Sequence, residues 1–300
     1  MSFSGTVKEE LAEQISSARH CQLAELAALV HFCGNTCENG MHLCLETENE
    51  AVIRKCFTLF KKTFNIDNVV IEGKNRLLPD DETESKVIQA LHLIGKEDGM
   101  ITLRAPVSSL LIKNSCCARA YLRGAFLSVG SMSDPEKSYH LEFVCNERAQ
   151  AEQLRDIVQE FQIEAKVIKR KKYDVVYLKE GAGIVDLLNV IGAHVSLMNL
   201  ENLRIVKEMR NSINRRVNCE TANISKTVTA ASKQIEDILL IRDKYGFENL
   251  PDNLRQMAEI RLEYPDAALK ELGAYLEPSV GKSGVNHRLR RLSEIADGIR

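Results

Sequence analysis

The stretch LRGAFLSVG at residues 122–130 decides the fold, because LAALVHFCG at residues 26–34 shows the same pattern 96 positions earlier. The likeness continues along the chain, since the segment that begins at His42 resembles the segment that begins at His140. Offsets of 96 and 98 residues between successive pieces indicate one structural unit that occurs twice, with small adjustments in its loops.

Each unit predicts the same order of elements. An apolar helix ends at glycine, an alternating strand follows in MHLCLET (41–47) or YHLEFVC (139–145), and an amphipathic helix comes next. A second strand pair around NVVIEG (68–73) or AKVIKRKKYDVVYLK (165–179) precedes a closing helix. The two closing helices are predicted to end at Gly95 and Gly192. The sequence therefore predicts two α+β halves of about 75 residues, α-β-β-α-β-β-α, related by a pseudo-twofold axis.

A paired unit whose first helix reads like LAGLIDADG resembles the homing-endonuclease fold. In that family the two motif helices pack side by side and each presents an acid that holds divalent metal for phosphodiester cleavage. The matching positions here are Cys33 and Val129. Neither side chain supplies the hard oxygen ligand that Mg²⁺ requires, so we expect the fold without nuclease activity, metal or other cofactor. Ala27, Ala28 and Gly124 should instead let the two helix backbones approach closely.

The carboxy-terminal third is predicted to be all-helical. No glycine or proline interrupts residues 193–245, where apolar residues recur at helical spacing. This region includes Arg215 and Arg216 in a segment rich in Asn, Arg and Thr, which is either a solvated linker or a phosphate-contacting surface. Three short helical patterns after residue 250 are laid out as a helix-turn-helix.

The last of these helices is the predicted DNA reader. Residues 279–291 contain four basic residues and no acid. Arg, Lys and Asn suit base edges in the major groove, whereas a solvated basic helix is the alternative. The residues predicted to contact bases or lie near them are Lys282, Ser283, Asn286, His287 and Arg290. Phosphate contacts are predicted for Arg288 and Arg291.

A second basic run, IKRKKYD at residues 168–174, is predicted to form a hairpin. Its basic residues are Lys169, Arg170, Lys171 and Lys172. They form either a solvated turn or, on a homing-endonuclease sheet, a secondary phosphate grip. The equivalent part of the first unit is mixed or acidic, which disfavours binding across the whole sheet.

The sequence also contains a group of potential metal ligands. Its members are His31, Cys33, Cys37, His42 and Cys44. They contain no C-x-x-C pair and their spacing crosses a helix end, a turn and a strand, so we interpret them as core thiols and a surface histidine rather than a zinc site.

Four segments together resemble the WhiA family over essentially the whole chain. They are SFSGTVKEELAEQI, AELAALV, MRNSINRRVNCETAN and LKELGAYLEPSVGKSGVNHRLRRL. The resemblance implies a bacterial DNA-binding regulator, tied to sporulation in some lineages and to cell division and chromosome segregation in others. It also implies an inactive homing-endonuclease domain joined to a helix-turn-helix. The sequence departs from the family pattern at His20-Cys21, where a cysteine pair is common, and at Gly281, where serine is common.

These observations predict four regions. They are an N-terminal helix (1–19), a duplicated LAGLIDADG-like domain (20–195, with repeats at about 20–98 and 115–195), a helical linker (196–249) and a helix-turn-helix domain (250–300). The lack of a long apolar stretch or signal peptide favours a cytoplasmic protein without membrane contact. The net charge of −2 does not by itself indicate a nucleic-acid binder, so a basic surface must be local, and association with the nucleoid is what the family resemblance implies. We expect a monomer that binds double-stranded DNA, with other regulators or division proteins as further partners. A scaffold of the division machinery with secondary DNA binding, or a residual nuclease, are the alternatives.

Overall fold

The computed structural model describes residues 2–37, 42–65, 69–72, 76–91, 94–97, 100–103 and 106–300. An amino-terminal helix precedes the first repeat. The elements are α1 (Phe3–Glu13), α2 (Arg19–Cys33), β1 (Gly34–Cys37), β2 (His42–Glu46), α3 (Glu50–Phe64), β3 (Val69–Glu72), β4 (Arg76–Pro79) and α4 (Asp81–Leu91). The four strands form an antiparallel sheet in the order β1-β2-β4-β3.

The second repeat has the same plan. A hairpin and a short helix lead to it: β5 (Ile94–Glu97), β6 (Met100–Leu103) and α5 (Ser109–Ile112). Its elements are α6 (Ser115–Val129), β7 (Gly130–Met132), β8 (Leu141–Cys145), α7 (Arg148–Gln159), β9 (Lys166–Arg170), β10 (Tyr173–Leu178) and α8 (Gly181–Ile191). Its sheet order, β7-β8-β10-β9, matches that of the first repeat, so the predicted duplication is confirmed.

One predicted element end is wrong. The closing helix of the first repeat ends at Leu91 rather than at Gly95, and Gly95 lies in β5 opposite Thr102. The apolar run here fits a helix and a strand equally well, and pairing with β6 decides for the strand. Other parts of the predictions for this repeat, at positions 41, 68, 73, 92, 93 and 98, lie outside the described residues.

The two motif helices, α2 and α6, pack against each other at the centre of the duplicated domain. Ala27 and Ala28 are fully buried. A Cβ atom added at Gly124 would lie 2.6 Å from the Glu25 carbonyl oxygen and 2.8 Å from the Ala28 Cβ. The small residues therefore allow the close backbone approach that the sequence predicts.

A buried ionic network ties neighbouring helices to this pair. The Glu25 carboxylate accepts hydrogen bonds of 2.8 and 3.0 Å from Arg123 and also binds the Lys55 ammonium group. Lys55 donates a further 2.6 Å hydrogen bond to the Leu11 carbonyl oxygen at the end of α1. Burial lowers the pKa of Lys55, and the Glu25 charge opposes that shift. The network compensates charges that would otherwise be costly inside a core.

The carboxy-terminal region is helical. Its elements are α9 (His194–Lys244), α10 (Asp252–Glu263), α11 (Leu269–Ala274) and α12 (Lys282–Ile299). The chain divides into two compact units, Met1–Val206 and Lys207–Arg300. The second unit has its own apolar core, which includes Ile238 and Ile241 of α9, before the predicted boundary at residue 250.

A close contact shapes the turn between α11 and α12. The Val280 backbone N–H donates a 2.9 Å hydrogen bond to the Gly273 carbonyl oxygen. A Cβ atom at Gly273 would lie 2.0 Å from the Val280 carbonyl oxygen, so a side chain at this position would push the turn open. This contact holds the two helices in the predicted helix-turn-helix arrangement.

Candidate nucleic-acid interface

Helix α12 separates an apolar face from a polar one. Val285, Leu289, Leu292 and Ala296 are buried in the core of the second unit, at the spacing of one helix face. Six of the seven predicted contact residues are exposed: Lys282, Ser283, Asn286, His287, Arg290 and Arg291. Arg288 is half-buried and donates a 3.4 Å hydrogen bond to the Asn253 carbonyl oxygen of α10. The helix therefore presents its polar residues as a continuous outward surface.

The amino-terminal end of α12 favours negative ligands. Its first turn contains no acid, Gly281 precedes it, and Lys282 and Ser283 are exposed there. Backbone N–H groups at a helix start and the helix dipole both attract anions. A phosphate or an electronegative base edge would meet complementary charge at this end.

Two of the arginines have partners that the sequence did not suggest. Glu294 lies 3.5 Å from Arg290 Nε and 2.8 Å from an Arg291 guanidinium nitrogen, and the Arg290 side chain is 80% exposed. Exposed ion pairs of this kind contribute little to stability, so a phosphate can replace Glu294 at small cost.

A groove of about 230 Å³ extends this surface towards α9. Asn286 lines it together with Lys226, Thr227 and Arg261. The Arg261 Nε is buried without a hydrogen-bond partner among the described residues, although another nitrogen of the same side chain donates to the Ala267 carbonyl oxygen at 2.8 Å. Polar groups of α9 and α10 therefore lie beside the exposed face of α12.

Arg215 and Arg216 lie on the exposed middle of α9. Arg215 Nε donates a 3.3 Å hydrogen bond to the Asn211 carbonyl oxygen within the same helix. The structure therefore gives both residues access to solvent and places them on the same helix as Lys226.

The basic run of the second repeat forms the predicted hairpin, but its charges do not share one face. Lys171 has a φ of 57° at the turn, and strands β9 and β10 flank it. Lys169 pairs with Asp174 in the sheet register and Arg170 with Tyr173, so Lys169 and Arg170 point to opposite faces. Lys172 lies 5.1 Å from the Tyr173 ring centre.

Arg170 is already engaged by a carboxylate. Glu142 accepts its hydrogen bonds at 2.9 and 3.1 Å, and also contacts His140 at 3.0 Å. Burial would raise the pKa of Glu142, but the hydrogen bonds from Arg170 and His140 lower it below its ordinary value. Arg170 therefore forms an ion pair with Glu142, whereas Lys169, Lys171 and Lys172 are exposed.

The two positions that the sequence analysis compares with the nuclease acids lie at the ends of the motif helices. Cys33 is the last residue of α2 and Val129 the last of α6. Helix α1 lies at this end, where the Met132 backbone N–H donates to Ser4 Oγ at 3.3 Å. Lys8 of α1 and Cys33 line the same groove, and burial lowers the pKa of Lys8 while Cys33 and Glu48 oppose that shift. The last residues of the two motif helices are thus a cysteine and a valine, and the groove beside Cys33 also contains Lys8, Glu46, Glu48 and Glu50.

The five predicted potential metal ligands do not converge within the described part of the chain. His31 is buried and lies 2.9 Å from the Tyr121 hydroxyl. Cys37 and His42 face each other across β1 and β2. The His/Cys group whose ligand atoms do lie together consists of His20, Cys21, Cys116 and Cys117. The sequence carried a signal for this group, because the repeat offset of 96 residues superimposes position 20 on 116 and position 21 on 117.

Comparison with known proteins agrees with this architecture. Three family models match the chain: the WhiA N-terminal LAGLIDADG-like domain at residues 19–78, the WhiA LAGLIDADG-like domain at 118–210 and the WhiA C-terminal HTH domain at 213–296. No helix in the described part of the chain has the length and apolar character needed to cross a bilayer.

Relatives match over the full length. The chain is 54% identical over 314 residues to a probable cell division protein WhiA of Lachnoclostridium phytofermentans, with 100% of both chains covered. It is 50% identical to a probable cell division protein WhiA of Alkaliphilus oremlandii, with 99% and 97% covered. A crystal structure of full-length DUF199/WhiA from Thermatoga maritima is similar, with 26% identity, a TM-score of 0.57, and coverage of 99% and 98%. The chain therefore belongs to the WhiA family, with a duplicated LAGLIDADG-like domain followed by a helix-turn-helix domain.

Proposed function

We propose that this protein is a non-enzymatic regulator that binds double-stranded DNA through α12 and controls transcription. The observation that carries the proposal is the polar face of α12, whose first three turns expose basic and amide side chains and no carboxylate, opposite a buried apolar face. The relatives named as cell division proteins support a role in cell division. Chromosome segregation, and sporulation in some lineages, are the finer roles that we propose.

The proposed roles follow from the chemistry of each side chain. Lys282, Ser283, Asn286, His287 and Arg290 contact bases or lie near them, because Arg and Lys suit guanine and Asn suits adenine. Arg288 and Arg291 contact phosphates, which position the helix without reading sequence. Secondary phosphate contacts are proposed for Lys169, Arg170, Lys171, Lys172, Arg215 and Arg216. We propose a monomer in the cytoplasm, associated with the nucleoid, whose further partners are other regulators or division proteins.

The test is DNA binding by the full chain across a salt series, measured by fluorescence anisotropy with Mg²⁺ present. The double variant Lys282→Ala/Arg290→Ala is expected to lose most affinity and to reduce the salt dependence, since two cations leave the face of α12 that approaches the polyanionic DNA. The matched control is Arg54→Ala/Lys62→Ala, which removes two exposed cations from α3. Equal binding by both double variants would move the DNA surface away from α12, and cleaved DNA would refute the non-enzymatic assignment.

A second candidate function is a protein-interaction scaffold with secondary DNA binding. The observation that favours it is a row of exposed apolar side chains along α9, at Met209, Ile213, Val217, Ile224 and Val228. Exposed apolar rows of this length often mark protein contacts. Substituting Ile213 and Val217 with serine should leave DNA binding intact; a division-protein complex lost in this variant would favour the scaffold.

A further inference from the structure

The motif helices begin with two pairs of metal-binding side chains. His20 and Cys21 lie in the first turn of α2, and Cys116 and Cys117 occupy the equivalent first turn of α6. The close packing of the two helices brings both pairs to the same end of the joint between the repeats. Among the described residues, this is the group in which four His or Cys ligand atoms come together, all within 4.8 Å of one another.

The distances from His20 to the three thiols lie within about 0.5 Å of those expected around a single tetrahedral ion. His20 Nδ1 lies 3.2 Å from Cys117 Sγ, 3.3 Å from Cys21 Sγ and 4.0 Å from Cys116 Sγ. In a zinc site with Zn–S of about 2.3 Å and Zn–N of about 2.0 Å, tetrahedral ligand atoms are about 3.5–3.8 Å apart. We propose that His20, Cys21, Cys116 and Cys117 form a Cys₃His site for one structural Zn²⁺ ion, which clamps the amino-terminal ends of α2 and α6 together.

The donor set selects the metal. Three thiols and one imidazole suit Zn²⁺ and exclude Mg²⁺ and Ca²⁺, which require oxygen ligands. Four protein ligands fill a tetrahedral shell, so the ion would have no open position for catalysis. The zinc site would consequently stabilise the packing of the two repeats. It is separate from Cys33 and Val129, which lie at the opposite ends of the same two helices.

Burial explains both the strength of the site and its accessibility. Cys21 and Cys117 are 5% and 3% exposed and pack with Ala24 and Ala120, whereas His20 and Cys116 are exposed. The ion would enter from the solvent side, where these two ligands lie. The two small alanines beneath the thiols leave the helices close enough for both pairs to reach one ion.

The thiols need a cation to become thiolates together. Burial, with Cys116 and Cys117, raises the pKa of Cys21 to about 11, and burial, with Cys116, raises the pKa of Cys117 while Cys21 opposes that shift. Zn²⁺ would form three Zn–S bonds and one Zn–N bond, and the three thiol protons would pass to solvent. The positive ends of the two helix dipoles favour the thiolates that result.

The first experiment measures zinc and iron in the full-length protein, purified under reducing conditions without chelator, and then Co²⁺ binding. We expect one zinc per chain and, after replacement with Co²⁺, the visible absorption of tetrahedral thiolate coordination. Because their side chains are exposed, His20→Ala and Cys116→Ser should fold normally and weaken zinc binding at least tenfold in a chelator competition. Cys219→Ser, which removes an exposed cysteine of α9, is the matched control and should bind zinc like the parent.

The second measurement compares thermal unfolding with and without chelator. An ion that binds only the folded chain raises Tm, so chelator should lower the Tm of the parent and of Cys219→Ser, but not that of His20→Ala or Cys116→Ser. Zinc content and affinity that are unchanged in those two variants would overturn the proposal. A Cys21–Cys117 disulfide in metal-free protein that then takes up no zinc after reduction would also overturn it, in favour of a redox pair.

Discussion

At the scale of single residues, His31 links stability to pH through its burial. The side chain is 4% exposed and its Nδ1 lies 2.9 Å from the Tyr121 hydroxyl, while its Nε2 has no hydrogen-bond partner in the part of the chain that the structure describes. Burial lowers its pKa from 6.5 to about 4. The unfolded chain therefore binds this proton at higher pH than the folded chain does, and protonation favours unfolding.

We expect the free energy of unfolding to fall by about 3 kcal/mol as the pH drops from about 6.5 to about 4. This value follows from the pKa shift of His31, since one pKa unit corresponds to about 1.4 kcal/mol. His31→Gln should lack this pH-dependent loss, because glutamine does not titrate. The difference between the unfolding free energies of the parent and the variant should therefore change between about pH 6.5 and about pH 4 and stay constant above about pH 7. Urea unfolding at several pH values measures it. Parallel curves would show that His31 is accessible to protons in the folded protein.

Arginine residues of α12 give a prediction of a different kind. Arg290→Ala is expected to weaken specific DNA binding by about 1–3 kcal/mol and to relax sequence preference at one position, because a bidentate base contact is lost. Arg291→Ala should weaken binding to all sequences alike and lower the salt slope by about one, as for a phosphate contact. Competition binding with specific and random duplexes separates the two; equal, sequence-independent losses would remove Arg290 from base recognition.

At the scale of elements, apolar periodicity explains why the order of helices and strands could be predicted. The amphipathic helix α3 and the alternating strand β8 each bury one face, so their residue patterns are visible locally. The end of α4 was not predictable, because the run around Gly95 becomes a strand only through its pairing with β6.

The close packing of α2 against α6 leads to a prediction about stability. Gly124→Ala should destabilise the duplicated domain by about 1–3 kcal/mol, because the added Cβ would overlap the Glu25 backbone and push the helices apart. Gly298→Ala in α12 is the matched control, since a Cβ there meets nothing within 4 Å. Thermal unfolding of both variants measures the effect. A Gly124→Ala protein as stable as the parent would mean that α2 and α6 can move apart without loss of stability.

At the scale of the whole molecule, the second unit has a core of its own and contains the entire proposed DNA-binding surface of α12. A fragment of residues 207–300 should therefore bind duplex DNA within about threefold of the full chain, a difference of about 0.6 kcal/mol. The complementary fragment, residues 2–206, should bind only weakly and without sequence preference. Strong binding by this second fragment in the same anisotropy assay would assign the main interface to the duplicated domain.

The sequence by itself determined the duplication, the order of most elements, the helix-turn-helix and the missing acids at Cys33 and Val129. Each of these depends on local periodicity or on the chemistry of one side chain. Only the tertiary structure brought His20-Cys21 to Cys116-Cys117, buried Glu25 between two cations, placed α1 at the ends of the motif helices and divided the basic hairpin between two sheet faces. These features depend on which distant segments become neighbours, and that is decided by how helices and strands pack rather than by their individual patterns.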